Sequence, residues 1–352
     1  MRQAAVCVIV PVWNAEKTLP RCVDSILAQQ VEGGVCCILV DDGGTDRSGA
    51  LCDEYAAKDA RVRVIHQPGS GVSAARNAGL AAAEAEFIVF LDADDALRPG
   101  ALQAALTVQQ RAPGAFVLWH YTTDEHCDGP VGPHAVTAQP TALARLYLDC
   151  LIAMPWNKLY RTELAQRLRF NKAYSLGEDL QFVLDYIALL GREQPGFVYR
   201  VMEDALTFYD CSRDGTLSTK YHDDYCDIWP QHYAKLNDMV LAAGAPEKDL
   251  LPLWRAEVRV FAEGVADIMR RDPGNRAART AKARSALKSV WLSDLLDTMR
   301  KMRCYSPYYL PLRHRNLPAI CAMADAARKN SPLFGKMDWA GYYLLGGRWH
   351  RA

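Results

Sequence analysis

Three unbroken apolar runs, Val6–Val10, Cys36–Val40 and Phe87–Leu91, and a fourth interrupted once by Arg63, Val62–Ile65, alternate with segments of helical periodicity. Between them lie Leu19, Cys22, Val23, Ile26 and Leu27, then Leu51 and Tyr55, then the Ala-rich stretch Val72–Ala83. Strand–helix–strand alternation predicts a parallel sheet joined by crossover helices. Runs that are apolar at every position, rather than at every second one, predict strands covered on both faces. The expected fold class is therefore α/β, a Rossmann-like, mostly parallel sheet flanked by helices.

The pattern continues less regularly. Pro99-Gly100 precedes helical spacing at Ala101, Leu102, Ala105, Leu106 and Val108, and Ala115–Trp119 reads as a strand. The Gly- and Pro-rich stretch 129–133 predicts a loop over Asp124–Thr137. Helices are expected over Thr141–Ile152 and Glu178–Leu190, and two final strands over Phe197–Met202 and Ala205–Tyr209. Beyond about His222 only helical segments follow, such as Leu250–Met269 and Ala277–Met302. At 352 residues roughly two domains are expected. The division predicted is an α/β domain over 1–218 and a mostly α-helical C-terminal region over 219–352.

Composition narrows the function classes. No stretch approaches the roughly 20 apolar residues that span a bilayer. The start runs straight into a strand, so a cytoplasmic location is expected. The 11 cysteines form no Cys-X-X-Cys pair, and several lie inside apolar patterns, which predicts reduced, buried thiols rather than disulfides or zinc ligands. The formal net charge is zero, yet from Arg270 onward 17 Lys and Arg stand against 5 Asp and Glu. A nucleic-acid binder is more often basic throughout, so no nucleic-acid partner is expected.

Two acidic turns follow two of the apolar runs: Asp41-Asp42-Gly43-Gly44-Thr45-Asp46 and Asp92-Ala93-Asp94-Asp95. In open α/β sheets ligands bind outside the carboxyl ends of the strands, so both turns can line one crevice. Hard divalent ions take carboxylate oxygens, and Mg²⁺ is usually held by one or two carboxylates together with substrate phosphates. The pattern points to a metal–diphosphate site. Gly69-Ser70-Gly71 before Val72 can bring backbone N–H groups to an anion at a helix start.

Four motifs, Val8-Ile9-Val10-Pro11-Val12-Trp13-Asn14-Ala15-Glu16, Val40-Asp41-Asp42-Gly43, Gly71-Val72-Ser73-Ala74-Ala75-Arg76-Asn77-Ala78-Gly79 and Leu91-Asp92-Ala93-Asp94-Asp95, together resemble family-two glycosyltransferases. The resemblance covers roughly the first 215 residues. It implies a GT-A-type fold, a nucleotide-sugar donor, usually a UDP-sugar, a divalent Mn²⁺ or Mg²⁺, and inversion at the anomeric carbon. Bacterial surface-polysaccharide assembly is the setting it suggests, with a glycan or lipid-linked acceptor.

Carried over residue by residue, the resemblance assigns Pro11, Val12, Asn14, Glu16, Asp42, Gly71, Ser73, Arg76, Asn77, Asp92 and Ala93 to the donor. Asp94, with Asp92 and Asp95, is assigned to the metal. Glu178-Asp179 resembles the family's Glu-Asp element, which makes Asp179 the base. Trp156-Asn157-Lys158 and Glu178 fall on the acceptor side, and Arg213 in Ser212–Ser218 falls beside the diphosphate. Gly44 stands where the family usually has Ser.

Plainer readings stand beside these. Pro11 suits a strand exit, Asn14 or Asp95 a helix cap, Arg76 a surface ion pair, and Lys158 a solvated cation. Glu178 and Asp179 suit a helix first turn, where the dipole holds a carboxylate ionised. The basic residues Arg300, Lys301, Arg303, Arg313, His314 and Arg315, interleaved with Tyr305, Tyr308 and Tyr309, suit either peripheral contact with the inner face of the plasma membrane or a helical cap or homodimer surface. A nucleotidyltransferase and a silent nucleotide- or glycan-binding module are the competing functions.

Overall fold

The computed structural model describes residues 4–127, 131–174, 176–211 and 220–329. The chain divides into two units, Met1–Ala173 with Glu178–Asp214, and Tyr174–Gly177 with Gly215–Ala352. The first unit runs β1 (Val6–Val12), α1 (Leu19–Leu27), β2 (Val35–Asp41), α2 (Ser48–Lys58), β3 (Val62–His66), α3 (Val72–Ala82), β4 (Phe87–Phe90), β5 (Ala96–Leu97) and α4 (Ala101–Arg111). It continues with β6 (Phe116–Thr122), β7 (Ala135–Ala138), α5 (Leu143–Leu148), β8 (Lys158–Arg161), α6 (Thr162–Ala165), α7 (Glu178–Glu193) and β9 (Tyr199–Phe208).

Among the described residues the strands form one sheet in the order β3-β2-β1-β4-β8-β6-β9-β5, with β7 on β9. The four strands read from these apolar runs are parallel neighbours, and β1, β2 and β4 are buried almost throughout. Beyond β4 the sheet is mixed: β8 runs antiparallel to β4 and β6, while β6 and β9 are parallel. The predicted loop 124–137 ends instead in β7, and the two predicted final strands are the single strand β9. β5 and β8 have two and four residues, too short for a periodicity to register.

Pro11 lies inside β1 rather than at its exit, opposite Val40. Ile9 O accepts from Leu91 N on the β4 side and Val12 O from Asp42 N on the β2 side. By alternation Pro11 faces the β4 side, where the ladder has ended, so its missing N–H costs no pairing.

Helix α3 crosses β1 and β2 at Gly79. A Cβ there would lie 2.3 Å from Ile9 Cγ2 and 3.2 Å from Val40 Cγ2. Gly→Ala in an open helix gains roughly 1 kcal/mol, whereas overpacking a core costs about 1–3 kcal/mol. Gly79→Ala is expected to lower unfolding stability by about 1–2 kcal/mol, read as a lower denaturant midpoint at unchanged m-value.

The second unit is helical: α8 (Tyr225–Ala242), α9 (Leu251–Arg271), α10 (Arg276–Ala286), α11 (Val290–Lys301), α12 (Tyr309–Arg313) and α13 (Leu317–Arg328). The single helix expected over Ala277–Met302 is two, because Ser289 leaves helical geometry at ψ 133°. Tyr305, Tyr308 and Tyr309 are buried. These rings pack inside the unit and do not face a bilayer. No helix among the described residues is long and apolar enough to cross a membrane.

Glu257 of α9 is fully buried, and neither carboxyl oxygen makes a hydrogen bond of good geometry among the described residues. Burial pushes its carboxyl up to about 8, with Asn237 of α8 pulling weakly the other way. A raised folded-state pKa contributes stability that is fully present below the unfolded value and is lost as pH rises through about 8. The wild type is expected to lose on the order of 4 kcal/mol between pH 5 and 9 from this group, and Glu257→Gln to flatten that slope in denaturation at both pH values.

Candidate active site

The parallel register brings the turns that follow β1, β2 and β4 to one edge of the sheet. Arg76 of α3 organises this edge. It is buried, at 3% exposure, and its Nη1 lies 2.6 Å from Asp179 Oδ1 and 3.5 Å from Glu178 Oε1. Its Nη2 lies 2.9 Å from Asp92 Oδ1, and its guanidinium rests 5.5 Å from the Phe170 ring centroid. One cation thus ties the acidic turn after β4 to the first turn of α7. The reading of Arg76 as a surface ion pair is overturned. Burial opposes its charge, but Asp179 first, then Asp92 and Glu178, hold the guanidinium further above its ordinary value.

Asp179 keeps 27% side-chain exposure. Burial pushes its carboxyl up to about 8 against the pull of Arg76, and Glu178 and Asp92 add to the rise. The expectation that the α7 dipole holds it fully ionised is corrected, since desolvation is the larger effect. A carboxyl near 8 is matched to proton transfer close to neutral pH.

Asp92 and Asp94 are half-buried, whereas Asp95 is sealed inside. Asp95 Oδ1 accepts from Asp210 N at 3.0 Å, and burial, with Asp92 next, pushes its carboxyl up to about 9. Sealed from solvent, with one oxygen spent on the Asp210 backbone, it braces the turn from inside. It is no helix cap, because β5 follows it. Among the described residues no three acidic, His or Cys side chains form a metal cage. The half-buried pair, Asp92 and Asp94, fits an ion held by one or two carboxylates and completed by phosphates.

The turn is braced by residues that sequence reasoning missed. Arg21 of α1 donates through Nη2 to Asp94 O and to Asp210 Oδ2, each at 2.6 Å, and lies 4.8 Å from the Phe208 ring centroid. In sequence, Arg21 looks like any cation on an amphipathic helix.

The glycine loop does something other than expected. Ser70 N and Gly71 N donate to the Asp42 carboxylate at 2.9 and 2.8 Å, and Gln67 Nε2 donates to it at 2.6 Å. The anion at this helix start is the chain's own Asp42, so those N–H groups are not left for a ligand. A carboxylate offers about four acceptor sites; Asp42 spends three here.

Several predicted donor residues are used internally. Asn14, at φ 48°, accepts from Thr45 N at 2.7 Å and caps no helix. A Cβ at Gly44 would sit 2.8 Å from Asn14 Oδ1, which explains glycine at that position. Glu16 accepts from Arg47 N at 3.1 Å. Asn77 clamps the Phe170 backbone from both sides, donating at 2.9 Å and accepting at 2.8 Å. Val12, Ser73 and Ala93 are buried, and Pro11 is half-buried.

On the other flank Trp156 is buried and stacks on Tyr209 at 5.4 Å and 17°. Lys158 is no solvated cation: it is fully buried and donates to Met154 O and Asn157 Oδ1. Burial pushes its ammonium well down. It cannot touch an acceptor directly. Arg213 lies outside the described residues.

Residues 7–169 match the glycosyl transferase family 2 model. The chain is 32% identical over 216 residues to the uncharacterized glycosyltransferase EpsJ of Bacillus subtilis (strain 168), covering 57% of this chain and 62% of that protein. It is 30% identical over 221 residues to the succinoglycan biosynthesis protein ExoO of Rhizobium meliloti (strain 1021), covering 56% and 61%. The chain thus spans about six tenths of the length of these relatives. Among solved structures, S. aureus TarS 1-349 in complex with UDP-GlcNAc superposes with a TM-score of 0.63 at 17% identity, over 93% of this chain and 92% of that one. At that identity the fold is what is shared. The mixed sheet, the helices on its faces and the family match agree: residues 7–169 carry a glycosyl transferase family 2 domain, in a chain with a GT-A-type α/β fold.

Proposed function

We propose that this chain transfers a sugar from a nucleotide-sugar, a UDP-sugar, to a hydroxyl of a glycan or lipid-linked acceptor with inversion, in cytoplasmic assembly of a surface polysaccharide. The domain reading behind it is a catalytic part over 1–218 and a helical part over 219–352. The observation that carries the reading is the bridge from Asp92 through Arg76 to Asp179. It joins the acidic turn after β4 and a titratable carboxyl through one buried cation, which supports a donor and a base that share one site.

Each residue then has a task. Asp42, held by the 67–71 loop, accepts from the nucleoside. Asp179 takes the proton of the acceptor hydroxyl as that oxygen attacks the anomeric carbon from the face opposite the leaving group. Arg76 orients Asp179 and lowers its proton affinity from the value burial alone would set. Asp94 with Asp92 would hold a divalent cation, Mn²⁺ or Mg²⁺, which when bound supplies positive charge to the departing nucleoside diphosphate. Glu178 supports Arg76, and Trp156 walls the acceptor side.

Asp94→Asn tests the donor half of this reading. It is expected to weaken Mn²⁺-dependent UDP binding by at least tenfold in titration calorimetry and to lower UDP release by 10²-fold or more, with no pyrophosphate formed by either protein. Undiminished metal-dependent UDP binding would remove Asp94 from the site, and pyrophosphate as product would replace sugar transfer by nucleotidyl transfer.

A further inference from the structure

Charge is uneven on the helical unit. From Arg284 to Arg315 seven Lys and Arg stand against two Asp. Helix α11 turns Leu292, Leu295, Leu296 and Met299 inward, which by its 3.6-residue period leaves Val290, Asp294, Asp297 and Lys301 outward. Val290 is 75% exposed and Leu310 44%, both large apolar side chains in water. Ser293 and Asp297 of α11 line a surface pocket of about 440 Å³ with Arg313, His314 and Arg315, and Arg313 pairs with Asp297. The outer side of α11 and the end of α12 therefore form one surface. Arg300, Lys301, Arg303 and Arg315 are exposed there and hold no carboxylate among the described residues, with Asp294 the remaining acid on that side.

The backbone adds an independent observation. Arg303 and Arg315 have φ of 53° and 51°, the left-handed region. Each follows the C-cap of its helix in the same closure: Cys304 N donates to Met299 O and Arg303 N to Arg300 O, while Asn316 N donates to Pro311 O and Arg315 N to Leu312 O. This closure ordinarily takes glycine, because an L side chain is strained there. The helix dipoles already have Arg300, Lys301 and Arg313 in their last turns, so they do not demand two further arginines in a strained state. Two guanidinium groups kept at that cost, with no carboxylate partner among the described residues, on a unit that also exposes large apolar side chains, point to a partner outside the fold.

We propose that this surface, which exposes Val290 and Leu310 together with Arg300, Lys301, Arg303 and Arg315, docks on an anionic phospholipid bilayer. Its charge complements acidic headgroups, and its two apolar side chains enter the interface. This proposal does not depend on the sugar or the base assigned above.

The test is flotation of the full chain with vesicles of phosphatidylcholine alone or with 30% phosphatidylglycerol (the roughly anionic bacterial case), at low and high salt. Binding is expected to the anionic vesicles only and to fall with salt. Arg303→Gly with Arg315→Gly relieves both strained positions, so the thermal midpoint should hold or rise. Membrane affinity should fall roughly 25-fold, about fivefold per charge, with UDP binding unchanged. No flotation of the wild type, equal flotation on neutral lipid, or full binding by the glycine variant would each overturn the proposal. So would a doubled mass in light scattering that the same two substitutions abolish, which would make the face a contact between copies.

Discussion

Asp179→Asn is expected to lower turnover by 10²- to 10⁴-fold, the usual contribution of a positioned general base, while leaving UDP binding within a few-fold of wild type. The amide keeps the shape and can no longer take a proton. In the wild type burial sets the carboxyl near 8, and only the ionised form accepts a proton. The rate constant kcat/KM should therefore climb about tenfold per pH unit below 8 and level above it. The variant should lose this limb. Both can be read from UDP release across pH 6–9 at saturating Mn²⁺, and a variant with undiminished turnover would take the base role from Asp179. Because the substitution removes a buried acid while Asp92 and Glu178 stay on Arg76, its unfolding midpoint above pH 8 should not fall.

Arg76→Met should have the second large effect, and on stability as well as rate. Removing one partner of a buried charge cluster leaves the others uncompensated, which costs about 3–5 kcal/mol. Here Asp92 and Asp179 keep 30% and 27% side-chain exposure, so partial solvation should hold the loss near 3 kcal/mol at about pH 9, where Asp179 is ionised. The loss should shrink as the pH is lowered and Asp179 takes up its proton. Adding Asp179→Asn to Arg76→Met should restore part of the stability, a coupling of at least about 1 kcal/mol in a double-mutant cycle. Additive effects would mean that Arg76 and Asp179 do not share the charge cluster.

The parallel half of the sheet was legible because buried strands demand unbroken apolar runs, and Val6–Val10, Cys36–Val40 and Phe87–Leu91 have them. The mixed half was not. β5 and β8 have two and four residues, and β7 emerges from a stretch whose Gly and Pro residues read as loop. The acidic turns and the Glu-Asp pair stood out as residue types at strand and helix ends. Their state of use did not. That Ser70 and Gly71 spend their N–H groups on Asp42, that Asn77 clamps Phe170, and that Arg21 braces the Asp94 turn all involve partners 28 to 93 residues apart.

By itself the chain determined its fold class and the chemistry of its strand ends, because hydrophobic period and turn composition are local properties that neighbouring residues set. The tertiary structure alone decided which charges meet. Burial sealed Lys158 and Asp95 away from solvent, set Arg76 between Asp92 and Asp179, and raised Asp179 into the range where it can exchange a proton near neutral pH. Desolvation and pairing depend on distances across the fold, and no local pattern encodes them.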